Sequence, residues 1–272
     1  MMRRLTLLVL AVLAPLVCRA QEDDPDRYRG LDSLLTEFYA ALQPESVEVK
    51  CGEFDALIST CRDSLTRQHV TLRILDHYMH SRVMGEEGVA IHIYDKWLEP
   101  GLVKATSEFE LMDAELFANC NRRSLIGMKA EKIELQMPGG GYRTVPEDGK
   151  IAVLFFYDTA CAKCRLEAAA LPSVLQEVDF PMNFYAVYVG YDKREWKAFR
   201  RNFRLKGMKD ISLVHLWDPE MESGYQIIYG VTATPRMFVT WTDGEIIGRR
   251  LEVTNLQQII EYIKIVNGTA QE

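Results

Sequence analysis

The chain has 272 residues, 48% of them hydrophobic, with 32 Lys and Arg against 39 Asp and Glu for a net charge of −7. A balance this acidic repels nucleic acid and anionic lipid, so neither is expected as a partner. Six cysteines in this length are too sparse for a disulfide scaffold, and the core is expected to hold together by apolar burial.

In chain order, Arg3 and Arg4 precede the apolar run Leu5 to Val17, and Cys18-Arg19-Ala20 follows before the polar stretch QEDDPDRYRG. These are the three parts of a secretory signal peptide, assigned to residues 1–20. The run has 13 residues, short of the roughly 20 that span a bilayer. Cleavage after Ala20 would remove Arg3, Arg4 and Arg19, leaving 252 residues with 29 basic groups, 39 acids and five cysteines. An odd count in an exported chain leaves at least one thiol unpaired within it. The expected location is the periplasm or cell envelope. Lipid anchoring at Cys18 is the alternative, and bulky Val17 ahead of it argues against that.

Residues 21–126 read as an all-α domain of about five helices. Leu31, Leu34, Leu35, Phe38, Tyr39 and Leu42 recur at spacings of three and four, as do Phe54, Leu57, Ile58, Cys61 and Leu65. Leu72, Ile74, Leu75, Tyr78 and Met79 do so less regularly, and Gly85, Gly88 and EPGL at 99–102 punctuate the series. A continuous helix from Cys51 through Leu65 would hold Cys51 and Cys61 about 15 Å apart at about 1.5 Å per residue. A disulfide needs Cα atoms within about 7 Å, so Cys51 and Cys61 are expected to be unbridged, with Cys61 and Cys120 buried on helix faces.

Residues 127–272 change character. IELQM and YRTV flank PGGG as a hairpin, and IAVLFFY and FYAVYVG have the length of fully buried strands. Between those two strands, CAKCRLEAAALPSVLQEV reads as a helix with Leu166, Ala169, Ala170, Val174 and Leu175 inward. A polar helix KREWKAFRRNF, a strand near ISLVHL, a strand, turn and strand across TPRMFVTWTDGEIIGRR, and a helix NLQQIIEYIKIV follow. Strands alternating with helices indicate an α/β domain, a mixed central sheet flanked by helices.

Cys161 and Cys164 fall directly after a buried strand and directly before a helix. At a helix N-terminus, unpaired N–H groups and the helix dipole favour a thiolate, and Lys163 and Arg165 add positive charge nearby. Zinc ligation is disfavoured because such sites usually need four ligands. The chain has no second C-x-x-C, and His77 and His80 lie in the helical half. A peroxidase site would need proline and threonine seven and three residues before the cysteine, where Leu154 and Asp158 stand. No metal or cofactor is expected. GGGYR at 139–143 reads as a turn, AFRRNFRLK as a solvated amphipathic helix, and His69, His77, His80 and His92 as ordinary helix residues.

These motifs together resemble the TlpA-like exported thiol-disulfide oxidoreductases, a thioredoxin-fold family. IGMKAEKIEL opens the domain, FFYDTACAKCRLE carries the cysteine pair, and YGVTATPRMFVTWTDGEIIG carries a proline loop. The helical half resembles an uncharacterised domain that precedes such modules in Gram-negative envelope proteins. The resemblance implies that Cys161 attacks, that Cys164 resolves, that the two form a redox disulfide, and that Pro235 is the cis-proline facing them. It further implies that the Thr234 backbone pairs with an extended substrate segment. Implied partners are exported protein thiols or disulfides and a membrane-linked electron donor or acceptor. Two departures stand out: Ala169 occupies the position of a usual helix proline, and IAVLFFY lacks the buried acid of thioredoxin. Asp192, in VYVGYDK, reads first as a solvent-exposed turn aspartate; the other reading has it accept or relay a proton for Cys164 in place of that acid. The reading of another class is a non-catalytic binding module, in which the helical half recognises a partner and the cysteine pair is structural. Nothing in Ala162 and Lys163 sets the direction of electron flow.

Overall fold

The structure, a computed structural model, describes residues 28–269. Residues 1–20, read above as a signal peptide, and Cys18 among them lie outside the described residues. The chain divides into two compact units, Met1–Ala118 and Asn119–Glu272.

In the first unit, helices α1 (Arg29–Leu42), α2 (Val47–Thr60), α3 (Ser64–Met79) and α4 (Glu87–Ile93) lead through a π-helical turn, Tyr94–Leu98, to α5 (Glu108–Asn121). Apolar side chains at helical spacing converge on one core, where Phe38 meets Phe54 edge-on at 5.7 Å and Phe54 meets Tyr78 at 5.3 Å. The expected continuous helix through Leu65 is in fact two helices. Cys61 caps α2 in extended conformation and Asp63 starts α3, its carboxylate accepting from the Thr66 N–H at 2.8 Å. An Asp at an N-cap competes successfully with helix continuation because it satisfies a donor that the helix start leaves free. Leu65 consequently belongs to α3 and is exposed. Cys51, Cys61 and Cys120 are buried free thiols.

The boundary between units falls inside α5, ahead of the 126/127 position read from the change in periodicity. Residues after Ala118 are held by the second unit. Asn121 Oδ1 accepts from Arg249 Nη2 at 2.9 Å and from Arg250 Nη2 at 2.8 Å, and Ser124 Oγ accepts from Arg249.

The second unit is built on a seven-stranded mixed sheet in the order β2-β1-β5-β4-β3-β6-β7. Its strands are β1 (Ile133–Gln136), β2 (Tyr142–Val145), β3 (Ile151–Tyr157), β4 (Met182–Tyr188), β5 (Ile211–Trp217), β6 (Arg236–Thr240) and β7 (Ile246–Arg249). The three central strands β3, β4 and β5 are parallel, and the remaining pairings are antiparallel. Helices α6 (Ala162–Leu175), α7 (Lys193–Asn202), α8 (Tyr225–Ile228) and α9 (Val253–Thr269) complete the unit. Every residue of β3 is buried. Val153, Phe155 and Tyr157 enter one core with side chains of α6, α7 and α9, while Ala152, Leu154 and Phe156 enter the other with Tyr225 and Tyr229. Burial of each large side chain contributes about 1.5–3 kcal/mol, which fixes the end of β3 firmly beneath the start of α6.

The inward face of α6 differs from the expected one. Cys164, Ala168, Leu171 and Leu175 are buried, whereas Leu166 is 73% exposed and Ala169 and Ala170 are also exposed. The alanine-rich run satisfies either phase equally well, so the choice falls to Cys164 and Leu171, which meet the sheet.

Candidate redox site

The site begins at the β3 to α6 junction. Cys161 is the N-cap of α6, in extended conformation, and its Sγ accepts a hydrogen bond from the Cys164 N–H at 3.1 Å. A sulfur therefore occupies the place that Ser or Asp usually takes at a helix start. The same Sγ donates to the Thr234 carbonyl at 3.3 Å, across 73 residues of sequence. The Thr234-Pro235 peptide is cis. The long separation in sequence closes because β6, which follows Pro235, pairs antiparallel with β3, Phe155 opposite Met237.

The two thiols, both free, differ in environment. Cys161 is half-buried and Cys164 is 2% exposed. Partial burial pushes the Cys161 thiol up, but hydrogen bonds from Cys164, the Thr234 side chain and the Lys163 backbone outweigh it and hold the thiol below its ordinary value. For Cys164, burial dominates and its bond to Cys161 adds to the effect, pushing it up to about 12. The pair therefore offers one thiol that ionises more readily than an ordinary cysteine and one that holds its proton.

Lys163 and Arg165 do not act as expected. The Lys163 ammonium pairs with Glu252, and Arg165 Nη1 donates to the Thr159 carbonyl at 2.8 Å. Lys163 is thus tied to the segment before α9 and Arg165 to the loop before α6, and the largest influences that lower Cys161 are hydrogen bonds. A second tie joins the same elements, where Glu167 Oε2 accepts from the Val253 N–H at 2.7 Å and so caps α9.

Asp192 stands at another helix start. It is the exposed N-cap of α7, its carboxylate accepting from the N–H groups of Arg194 at 2.7 Å and Glu195 at 3.4 Å. Besides burial, the largest influences on Cys164 come from Cys161, Thr234 and the Asp158 backbone. The Asp192 carboxylate caps the start of α7. Sequence reasoning also missed the Thr234 side chain, which favours the thiolate form of both cysteines, and Tyr157. The Tyr157 hydroxyl is buried without a hydrogen-bond partner, and burial raises it well above the phenol range, Tyr188 and Cys164 adding to the rise. Its position at the end of β3, four residues before Cys161, was the available signal.

Among the described residues no group of three or more His, Cys, Asp or Glu could hold a metal ion, and no helix is long and apolar enough to cross a membrane. His69 and His92 are tied to Asp32 and Asp55, and His77 stacks on Tyr39.

A thioredoxin-like protein from Bacteroides caccae matches this structure with a TM-score of 0.66 and 12% identity, over 88% of this chain and 87% of its own. The fold is thioredoxin-like. The coverage extends the likeness into the helical unit. A domain of a possible thiol-disulfide isomerase from Cytophaga hutchinsonii is 26% identical over 54% of this chain and 99% of its own, with a TM-score of 0.46. A thiol:disulfide interchange protein from a Bacteroides species is 18% identical over 52% and 90%, with a TM-score of 0.43. No protein-family model and no curated protein matches the chain.

Proposed function

We propose that this thioredoxin-like protein is an exported thiol-disulfide oxidoreductase of the TlpA-like kind, exchanging disulfides with envelope proteins through Cys161 and Cys164. The observation that carries the reading is the division of labour between the thiols, an acidic, accessible Cys161 capping the helix and a shielded Cys164 beneath it. The Thr234-Pro235 loop lies against Cys161 and offers backbone for an extended substrate segment. Signal residues 1–20 would deliver the chain to the periplasm or cell envelope.

In the reducing direction the Cys161 thiolate attacks one sulfur of a substrate disulfide. A mixed disulfide forms and the other substrate sulfur leaves as thiolate, taking up a proton. Cys164 then gives up its proton and attacks Cys161 Sγ. The second substrate thiol departs, and the Cys161–Cys164 disulfide holds the two-electron oxidation. A dithiol donor, membrane-linked in this reading, returns the pair to its starting state. The oxidising direction runs the same bonds in reverse.

Replacing Cys164 with Ser should leave Cys161 joined to its substrates in adducts that survive denaturant and are released by reductant, while Cys161→Ser should form none. If Cys164→Ser captured nothing in the cell envelope and the double Ser variant behaved as wild type, the cysteine pair would be structural and the protein a binding module.

A further inference from the structure

The basic run that the redox chemistry leaves unused lines a cavity. Arg194, Lys197, Arg200 and Arg201 of α7 and Arg204 just beyond it, together with His215 of β5, surround about 450 Å³. An adjoining cavity of about 710 Å³ shares Arg201 and Arg204 and adds Lys206. Other cations of the same unit are paired, Lys129 with Asp243, Lys132 with Asp148 and Arg143 with Glu147. Among the described residues none of the five cations around the first cavity has a carboxylate partner.

Such a cluster is not neutral for stability. Lys197 and Arg201 are like charges at i,i+4 on α7, a spacing that destabilises a helix. In a chain of net charge −7, carboxylates to relieve them are plentiful, yet the cavity has none. Two buried polar atoms at the cavity residues, His215 Nδ1 and Arg200 Nε, have no hydrogen-bond partner. The Arg200 guanidinium is held 4.8 Å over the Trp196 ring, which limits its rotamers. Burial, with Arg200 and Arg204 beside it, pushes His215 down to about 4 against the opposing effect of the Phe203 backbone, so its ring is neutral at pH 7. Buried polar atoms without partners and cations without carboxylates around one open cleft are what a bound anion would satisfy.

We propose that this cavity binds a small anion carrying two or more phosphate groups. Guanidinium forks match phosphate oxygens bidentately, and several forks with one lysine suit a multiply charged ligand better than a single carboxylate. The volume lies in the range of about 300–1,000 Å³ usual for small-molecule sites. The overall acidity of the chain opposes long-range attraction of anions. Affinity must therefore come from close contact in the cavity. This inference is independent of the redox reading.

The test is calorimetric titration of the full chain with pyrophosphate at fixed, near-physiological ionic strength. One saturable site is expected, weakened at least tenfold by Arg201→Gln with Arg204→Gln, two exposed residues. Lys129→Gln with Lys132→Gln, an equal loss of charge elsewhere, should bind as wild type. On saturation the His215 ring should titrate at higher pH by NMR. If the arginine pair does not fold, Lys197→Gln against Lys129→Gln makes the same comparison. Absence of saturable binding overturns the proposal, as does equal weakening by both double variants. So does recruitment to anionic phospholipid vesicles without binding of free pyrophosphate, because the surface would then be reading a membrane.

Discussion

The helical unit and the sheet unit each bury cysteines, and the comparison separates what burial does from what a helix start does. In the helical unit Cys51 lies within α2 and Cys61 at its end, and burial pushes each up to about 11. In the sheet unit Cys161 also loses solvent, yet the N–H groups at the start of α6 and the Thr234 side chain hold it below the ordinary thiol value. Cys164, three residues on, reverts to the behaviour of the helical unit. Reactivity thus follows the donors that point at the sulfur more than depth alone.

The largest expected effect tests that contrast directly. At pH 7 a thiol near 11 has about one part in ten thousand as thiolate, so Cys161 should be alkylated at least a hundredfold faster than Cys51 or Cys61 in the native protein. Its half-maximal rate should fall at a pH below that of an ordinary thiol, while Cys51 and Cys61 should need pH near 11. Mass-spectrometric mapping of the labelled sites decides it, and comparable native labelling of Cys51 would break the comparison. Denaturation should bring the rates together.

A second effect concerns how the segment after α5 is held in the sheet unit. Gly230 has φ +63°, and a Cβ there would lie 2.4 Å from the Cys120 carbonyl oxygen. Backbone cannot yield as a side-chain tip can. Gly230→Ala should cost ~2 kcal/mol or more in denaturant unfolding, from the clash and the left-handed backbone together. An unchanged midpoint would show that Asn121 and Ser124 are not fixed against this loop.

Asp192 sharpens the contrast between a carboxylate that serves a helix and one that serves a thiol. Asp192→Ala should lower stability by about 1 kcal/mol through loss of the cap, whereas Asp192→Asn, which caps equally well, should keep it. Neither should change the pH dependence of disulfide reduction. A shifted profile with Asn would return the residue to the proton path.

The smallest effect belongs to the Lys163 to Glu252 pair. Both side chains are about half exposed, so Glu252→Gln should cost only about 0.2–1 kcal/mol and leave the alkylation pH profile of Cys161 in place. A marked shift in that profile would mean that the Lys163 charge, freed from its partner, acts on the sulfur after all.

Periodicity and punctuation alone determined much of this protein. The run IAVLFFY could only be a strand covered on both faces, since seven consecutive apolar residues leave no polar face for solvent, and its abrupt end at Asp158 placed the cysteine pair at a strand to helix junction. The Thr234-Pro235 loop was legible too, because it immediately precedes a strand of the same sheet. Tertiary structure decided what local pattern leaves open. Ala168, Ala169 and Ala170 fit either phase of α6, and only the packing of Cys164 and Leu171 against the sheet selected one. The α2 to α3 break depended on Asp63 winning a backbone donor from a periodicity that ran on without interruption. The partners of Lys163 and of Cys161 lie 89 and 73 residues away, and charge and hydrogen-bonding energy depend on distance in space, which a linear sequence does not encode.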